Sequence, residues 1–466
     1  MRYYGNITDP KDLVTKEYVD EQGQGQGSNI TGKLVKGIAQ NQISIGNIVY
    51  NVNTEIPEEP IYSDAENTEF SSNFYTKAVF NKAGTLMVLT GTFPGYAKLY
   101  AVSGLDMTYI TDIYADNDQT PLSAQARCAV FSPDGALLVV GGLFSGYAKV
   151  YSVSGTTLTF LMNLPENVAG TAISKYIMSA DINKDGTLLV IGGYHNAKVL
   201  AYTIDGQTVS FLKELTTSTG QCTMVRFTPD GEYLFANTSQ DYYLWYFKVT
   251  GQSIGTNKAF ASKTTFNGAV HDIAFSRDMK KLIICGSFSF YARYYAVSYD
   301  QYGNISFSYQ SDLMANSATT RLDAMACSVE FSPDDRIVVL GGSFKNKVKV
   351  YTVGSNSIDY AADVPLDNTV WGTSFDPDGT ILALTGHFTS RAKRYYAAGN
   401  YLIDGTAYLS YNGLSEERPK GFVNLGVAQC AATPGGMISS LSIAEGIATK
   451  EYVDEELAKL RLELQS

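Results

Sequence analysis

Residues 131–153 read "FSPDGALLVVGGLFSGYAKVYSV", and residues 331–353 read "FSPDDRIVVLGGSFKNKVKVYTV". Both parse the same way. A short apolar run ends at a Pro-Asp turn, an aliphatic run follows, a Gly-Gly pair interrupts it, and a third run closes on Tyr-x-Val. Proline presets φ for such a reversal, and glycine takes the positive φ that completes it. The aliphatic run does not alternate with polar residues, which is how a strand buried on both faces reads.

The pattern occurs seven times. The other copies are "AVFNKAGTLMVLTGTFPGYAKLYAV" (78–102), "ADINKDGTLLVIGGYHNAKVLAYTI" (180–204), "VRFTPDGEYLFANTSQDYYLWYFKV" (225–249), "IAFSRDMKKLIICGSFSFYARYYAV" (273–297) and "TSFDPDGTILALTGHFTSRAKRYYA" (373–397). The copy that holds 331–353 starts near Val329. A weaker fourth run often completes the unit, as in "TLTFLMNL" (157–164). Four short strands at a period of roughly 45–55 residues predict an all-β, seven-bladed β-propeller. No unit carries a helical apolar stripe, which excludes a helical solenoid.

The propeller is expected over residues 74–411. Residues 1–50 read as an attachment and oligomerisation segment with a linker, 51–73 as a connection, and 412–466 as a C-terminal segment ending in a short coiled-coil helix. Two strands compete to close the ring: one at 409–412, or one from before residue 74. The acidic, proline-bearing "TEIPEEPIYSDAENTE" (54–69) is expected on the surface.

Composition fits this reading. The chain has 466 residues, 45% hydrophobic and only 17% charged, with 33 tyrosines and 42 glycines, which suits a large β-protein with many tight turns. A net charge of −11 without a basic block argues against a nucleic-acid partner. No apolar window is long enough to span or insert into a membrane, and "MRYYGNITDPKDL" has no apolar signal region, so synthesis in a cytosol is expected. Cys128, Cys222, Cys285, Cys327 and Cys430 are widely spaced and odd in number, and read as buried reduced thiols.

The phrase "FSPDG…LLVVGG…AKVYSV" resembles WD-repeat and related seven-bladed propellers over about residues 74–411. Tyr100, Tyr151, Tyr202, Tyr351 and Tyr396 stand in the place of that family's tryptophan. Its glycine-histidine pair and terminal aspartate are absent here. The resemblance implies the fold and leaves the activity open.

The ends carry a second signal. Thr-Lys-Glu-Tyr-Val-Asp occurs at 15–20 and again at 449–454. Thr449 suits a helix N-cap, and Val453, Leu457, Leu460 and Leu464 then follow at coiled-coil spacing. Such a short helix is stable when packed, either on copies of itself or on its own propeller. "DPKDLVTKEYVDEQ" (9–22) resembles a segment of tailed-bacteriophage fibre and appendage proteins. That resemblance implies that Thr15, Lys16, Tyr18 and Val19 dock the protein to a virion.

Chemistry is sparse. His195, His271 and His387 fall in different units without metal-ligand spacing, and neither a nucleophile elbow nor a phosphate loop appears. We expect no cofactor, no metal and no enzyme activity. The series Asp134, Asp185, Asp230, Asp278, Asp334 and Asp378 reads as turn residues bonded to their own backbone. Phe93, Phe144, Phe288, Phe344 and Phe388 recur and read as blade packing. The fourth and fifth units depart most from the repeat, so Tyr242, Tyr243, Trp245, Tyr291, Arg293 and Tyr294 are the candidate binding residues, against a rival reading as packing.

The sequence thus predicts a structural protein of a bacteriophage virion, a tail fibre or similar appendage made in the host cytoplasm. Its partners would be copies of itself in a trimer, other virion proteins, and a host surface glycan or protein. A head-fibre or decoration protein without host binding, and a propeller hydrolase acting on a lactone or glycan, are the alternatives.

Overall fold

The computed structural model describes residues 58–396 apart from 71–76, 105, 172, 174, 195–197, 218–219, 241, 262–265, 317–319 and 345–346, together with five strands outside that range. The chain divides into two compact units, Glu58–Tyr395 and a second one made from both ends.

In the first unit, seven four-stranded antiparallel sheets follow one another as blades. Blades 1–6 span residues 77–112, 126–163, 177–216, 225–261, 270–312 and 326–365; blade 7 takes 370–396. Within each blade the strands run inner, second, third and outer in chain order. In blade 7 the outer strand comes from elsewhere: Glu58–Pro60 pairs antiparallel with Ala392–Tyr396, Glu58 opposite Tyr395. The ring is therefore closed by the segment before residue 74. Ala407–Tyr411 instead belongs to the second unit.

Of the stretch expected on the surface, residues 65–69 are exposed, while Ile61 is drawn into the core between blades 7 and 1. Phe70, just past it, is buried in the same core and meets Phe93 at 4.6 Å. Ile61 N–H donates to Ala392 O at 2.9 Å.

The second strands are buried throughout, as Leu137–Gly142 is, because each lies between the neighbouring blades. The Gly-Gly pair proves to be the last two residues of this strand and not a break after it. Its second glycine goes with a β-bulge at the start of the inner strand, between Ala126 and Cys128 in blade 2 and at the equivalent place in blades 3, 5, 6 and 7, of which blades 5 and 7 keep only that glycine. The bulge presses main chain against the second strand. A Cβ at Gly142, Gly193 or Gly386 would overlap the carbonyl oxygen of Gln125, Tyr176 or Thr369. Blade 4 has no bulge and no glycine pair. Asn237 there accepts the N–H groups of Thr223 and Met224 at 2.8 and 2.9 Å and donates to Val270 O.

Successive blades are tied by tyrosines. The hydroxyls of Tyr100, Tyr151, Tyr202 and Tyr351 donate to the carbonyls of Tyr62, Tyr114, Pro165 and Met314, at 2.6, 2.6, 2.7 and 2.9 Å. Each acceptor lies just beyond the outer strand of the preceding blade. In blade 7 the equivalent buried residue is Tyr395, one position before the Tyr396 expected from the sequence.

The second unit is a closed barrel in the order Leu34–Ala39, Ala407–Tyr411, Ile48–Asn51, Val423–Ala428 and Met437–Leu441. The first two strands are parallel and the other neighbours antiparallel. The expected helix with Val453, Leu457, Leu460 and Leu464, and the segment with Thr15, Lys16, Tyr18 and Val19, lie outside the described residues.

Candidate functional site

The inner strands of all seven blades line a central cavity of about 530 Å³. Seven turns ring one mouth of it. Each joins an inner to a second strand and holds its fourth residue in the left-handed region: Gly84, Gly135, Gly186, Gly231, Met279, Asp335 and Gly379. Within these turns, Asp134 accepts from Ser132 Oγ and Ala136 N–H, and Asp230, Asp278 and Asp334 do the same in their blades. The turn reading of these aspartates holds for those four.

The cavity wall is charged on one side. Arg226 of blade 4 reaches Asp272 of blade 5 at 3.1 Å and keeps 45% of its side chain accessible to the channel. Asp272, and after it Asp181, hold the guanidinium protonated against the pull of burial. Each of these carboxylates also reaches the next blade. Asp181 accepts Phe227 N–H at 2.7 Å, Asp272 accepts Val329 N–H at 3.3 Å, and Glu330 accepts Phe375 N–H. Burial pushes Asp181 up to about 6 and Glu330 up to about 8, against the pull of Arg226. These acids therefore act as inter-blade ties.

The opposite face carries the hairpins between second and third strands and the links between blades. The hairpins of blades 1, 2, 5 and 7 bend at Tyr96, Tyr147, Tyr291 and Arg391, all with positive φ. A bulky residue there costs about 1–2 kcal/mol. Tyr147, Tyr176 and Tyr194 form a row with ring centres 5.8 and 5.7 Å apart, and Tyr176 and Tyr194 are exposed. Arg321, exposed, stacks 3.8 Å over Phe290. Sequence reasoning missed both groups, because Tyr176 and Arg321 lie in links outside the repeated unit and Tyr194 follows Gly193 where other copies vary.

The six candidate residues do not converge. Tyr294 is 3% exposed in the core between blades 5 and 6, and Tyr291 packs beside it. Arg293 is buried between Phe266 and Phe288 and faces Asp312 at 3.6 Å. Its position in the third strand is that of Lys98, Lys149 and Lys349, which pair with Asp112, Asn163 and Asp363. Tyr242 packs on the core between blades 4 and 5. Tyr243 and Trp245 stack at 5.1 Å and are half-buried. The departures of blades 4 and 5 are thus largely one aromatic core, in which Phe235, Tyr246, Phe260 and Phe307 touch.

The histidines are dispersed. His271 contacts Ser287 Oγ at 3.3 Å and His387 lies edge-on to Trp371, both with proton affinity lowered by burial. His195 lies outside the described residues. No cluster of ligating side chains is found among the described residues. Cys128, Cys222, Cys285 and Cys327 are buried free thiols, with Cys128 and Cys222 pushed up to about 12 by burial.

Solved propellers superpose on this arrangement. The β-propeller domain of Cps50 (Swd1) from Myceliophteria thermophila is similar at 12% identity and a TM-score of 0.53, over 73% of this chain and 99% of that one. U3-55K is similar at 12% identity and a TM-score of 0.54, over 74% and 99%. The ring is WD-repeat-like. At this identity the likeness concerns the fold. No family model and no curated protein matches the sequence.

Proposed function

We propose that this protein is a non-enzymatic binding platform. The observation that carries the reading is the use of the cavity carboxylates. Asp272 and Glu330 hold main-chain N–H groups of the next blade, and Asp376 holds the N–H groups of Thr380 and Ile381. General acid–base chemistry needs a carboxyl placed to exchange protons with a substrate, and these are committed to the framework. The exposed tyrosine row on the hairpin face supports docking of a protein or glycan partner there. The setting we propose is a bacteriophage appendage in which the terminal segments join three copies, so that weak sites add through avidity. The repeated Thr-Lys-Glu-Tyr-Val-Asp supports this setting; the solved neighbours come from other settings.

Light scattering on the full chain tests the assembly: a trimer supports it and a monomer removes it. A glycan array run beside a hydrolysis assay tests the role. Binding without turnover that is lost in Tyr176→Ala supports the platform, and turnover of any arrayed glycan overturns it.

A further inference from the structure

The tyrosine row on the hairpin face draws on three separate segments. Tyr147 belongs to the blade 2 hairpin, Tyr176 to the link that enters blade 3, and Tyr194 lies just past that blade's second strand. Main chain fixes two of them. Tyr194 N–H donates to Tyr176 O at 3.0 Å, an approach that a side chain at Gly193 would block. Tyr147 is held at a φ of 50° and packs on the core between blades 2 and 3. Ring centres 5.8 and 5.7 Å apart, with planes inclined at 54° and 64°, make a corrugated strip in which no ring is sandwiched. The strip is in place before a ligand arrives, which lowers the ordering cost of binding.

Its chemistry is uncharged. Among the described residues, none of the three rings has a cation over it, and Lys175, beside Tyr176 in the chain, stands over none of them. Their hydroxyls make no hydrogen bond among these residues, whereas those of Tyr100, Tyr151, Tyr202 and Tyr351 are all spent on carbonyls. Each ring of the row thus offers an apolar face and a free O–H that can donate and accept. Neighbouring rings stand too close to leave the slot that a proline-rich peptide fills. An ordinary protein partner needs an apolar patch of about 800 Å². Among the described residues, the exposed large hydrophobic side chains are Val168 and five tyrosines, with no exposed leucine, isoleucine or phenylalanine to extend such a patch. An acidic ligand would meet a chain of net charge −11 without a cation over the rings.

We propose that the row binds an uncharged glycan, with successive sugar rings laid on Tyr176 and Tyr194 and with Tyr147 extending the strip. The weakly positive C–H face of a sugar suits the negative face of an aromatic ring, and its hydroxyls suit the free phenol tips. The spacing of the rings is close to the length of one sugar unit in a chain. This assignment rests on the binding-platform reading and narrows its ligand.

The full chain is applied to an array that carries uncharged gluco-, galacto- and manno-oligosaccharides beside uronate, sialylated and sulfated ones. Isothermal titration then measures the best oligosaccharide. Uncharged glycans are expected to bind, with affinity unchanged between ~50 and ~500 mM salt because no ion pair forms. Tyr176→Ala and Tyr194→Ala each weaken binding about tenfold, and Tyr176→Phe and Tyr194→Phe about threefold. Tyr302→Ala, an exposed tyrosine of blade 5, leaves it unchanged. If an alanine variant loses its near-ultraviolet aromatic signal, the phenylalanine variants carry the test. Binding confined to acidic glycans, or affinity that falls with salt, overturns the uncharged ligand and leaves the platform standing. A protein partner mapped to the row, with no glycan bound, does the same. Uncharged-glycan affinity unchanged in folded row variants overturns the row as the site. An array without any bound glycan overturns the proposal, whereas turnover of a bound glycan overturns the platform reading itself.

Discussion

Removing the hydroxyl from each inter-blade tyrosine isolates one bond with little change in packing. Tyr100, Tyr151, Tyr202 and Tyr351 are at most 2% exposed, so Tyr→Phe keeps the ring buried and deletes only the donor to Tyr62, Tyr114, Pro165 or Met314. The lost bond and the carbonyl left without it cost about 1–2 kcal/mol per site. The four sites lie in different blades and share no partner, so their effects add to about 4–8 kcal/mol, comparable with the whole stability of a typical domain. Guanidinium unfolding followed by tryptophan fluorescence reads this as a stepwise fall in midpoint at constant slope. Tyr100→Phe has an additional signature, because Tyr62 follows the three-residue closing strand. Faster amide exchange in Ala392–Tyr396 is expected in that variant and not in Tyr202→Phe. Four single variants all within about 0.3 kcal/mol of the parent would refute the tie, since natural scatter in such measurements is of that size.

Gly193→Ala forces a Cβ onto Tyr176 O and is expected to cost about 2–3 kcal/mol in the same unfolding assay, whereas Thr238→Ala, in the equivalent place of unbulged blade 4, costs less. Glu330 binds its proton more tightly folded than unfolded, about 8 against the ordinary 4.5, so folding takes up a proton between those values and stability falls as pH rises through that window. From about pH 6.5 to 8, above the Asp181 range, Glu330→Gln should flatten that fall, whose slope is at most about 1.4 kcal/mol per pH unit; an unchanged profile would contradict it. Asp335→Ala loses the bonds to Arg277 and Asp278 and keeps the left-handed backbone, while Asp335→Gly loses the bonds and relieves it, so thermal melts should rank parent, then glycine, then alanine, with about 1 kcal/mol between the last two.

The blades were legible because each repeats a physical requirement. The left-handed fourth turn residue, the apolar second strand and the buried phenylalanine after the glycine recur often enough to be read without a structure. What escaped had no local signature. Glu58–Pro60 is three residues long, acidic and proline-ended, and becomes a strand only because the edge at Ala392–Tyr396 accepts it. The glycine pair reads as an interruption until the bulge opposite is seen. The tyrosines and arginine of blades 4 and 5 look like a departure toward binding, yet Arg293 repeats the lysine of other blades and Tyr294 faces a neighbour. The cavity wall joins Asp181, Arg226, Asp272 and Glu330 from four different blades, and that juxtaposition emerges only when the inner strands are aligned in register.

The composite seventh blade also sets an order of events during synthesis. Glu58–Pro60 leaves the ribosome first and has no sheet to join until Ala392–Tyr396 emerges, roughly three hundred residues later. Blades 1–6 are built from contiguous chain and can form as they are made, whereas the last seam requires the most distant pairing in the unit and is the slowest to find. A ribosome stalled within blade 7 would hold an open arc with two unsealed flanks, and a nascent-chain protease assay would find its first blade still vulnerable until the final strand arrives.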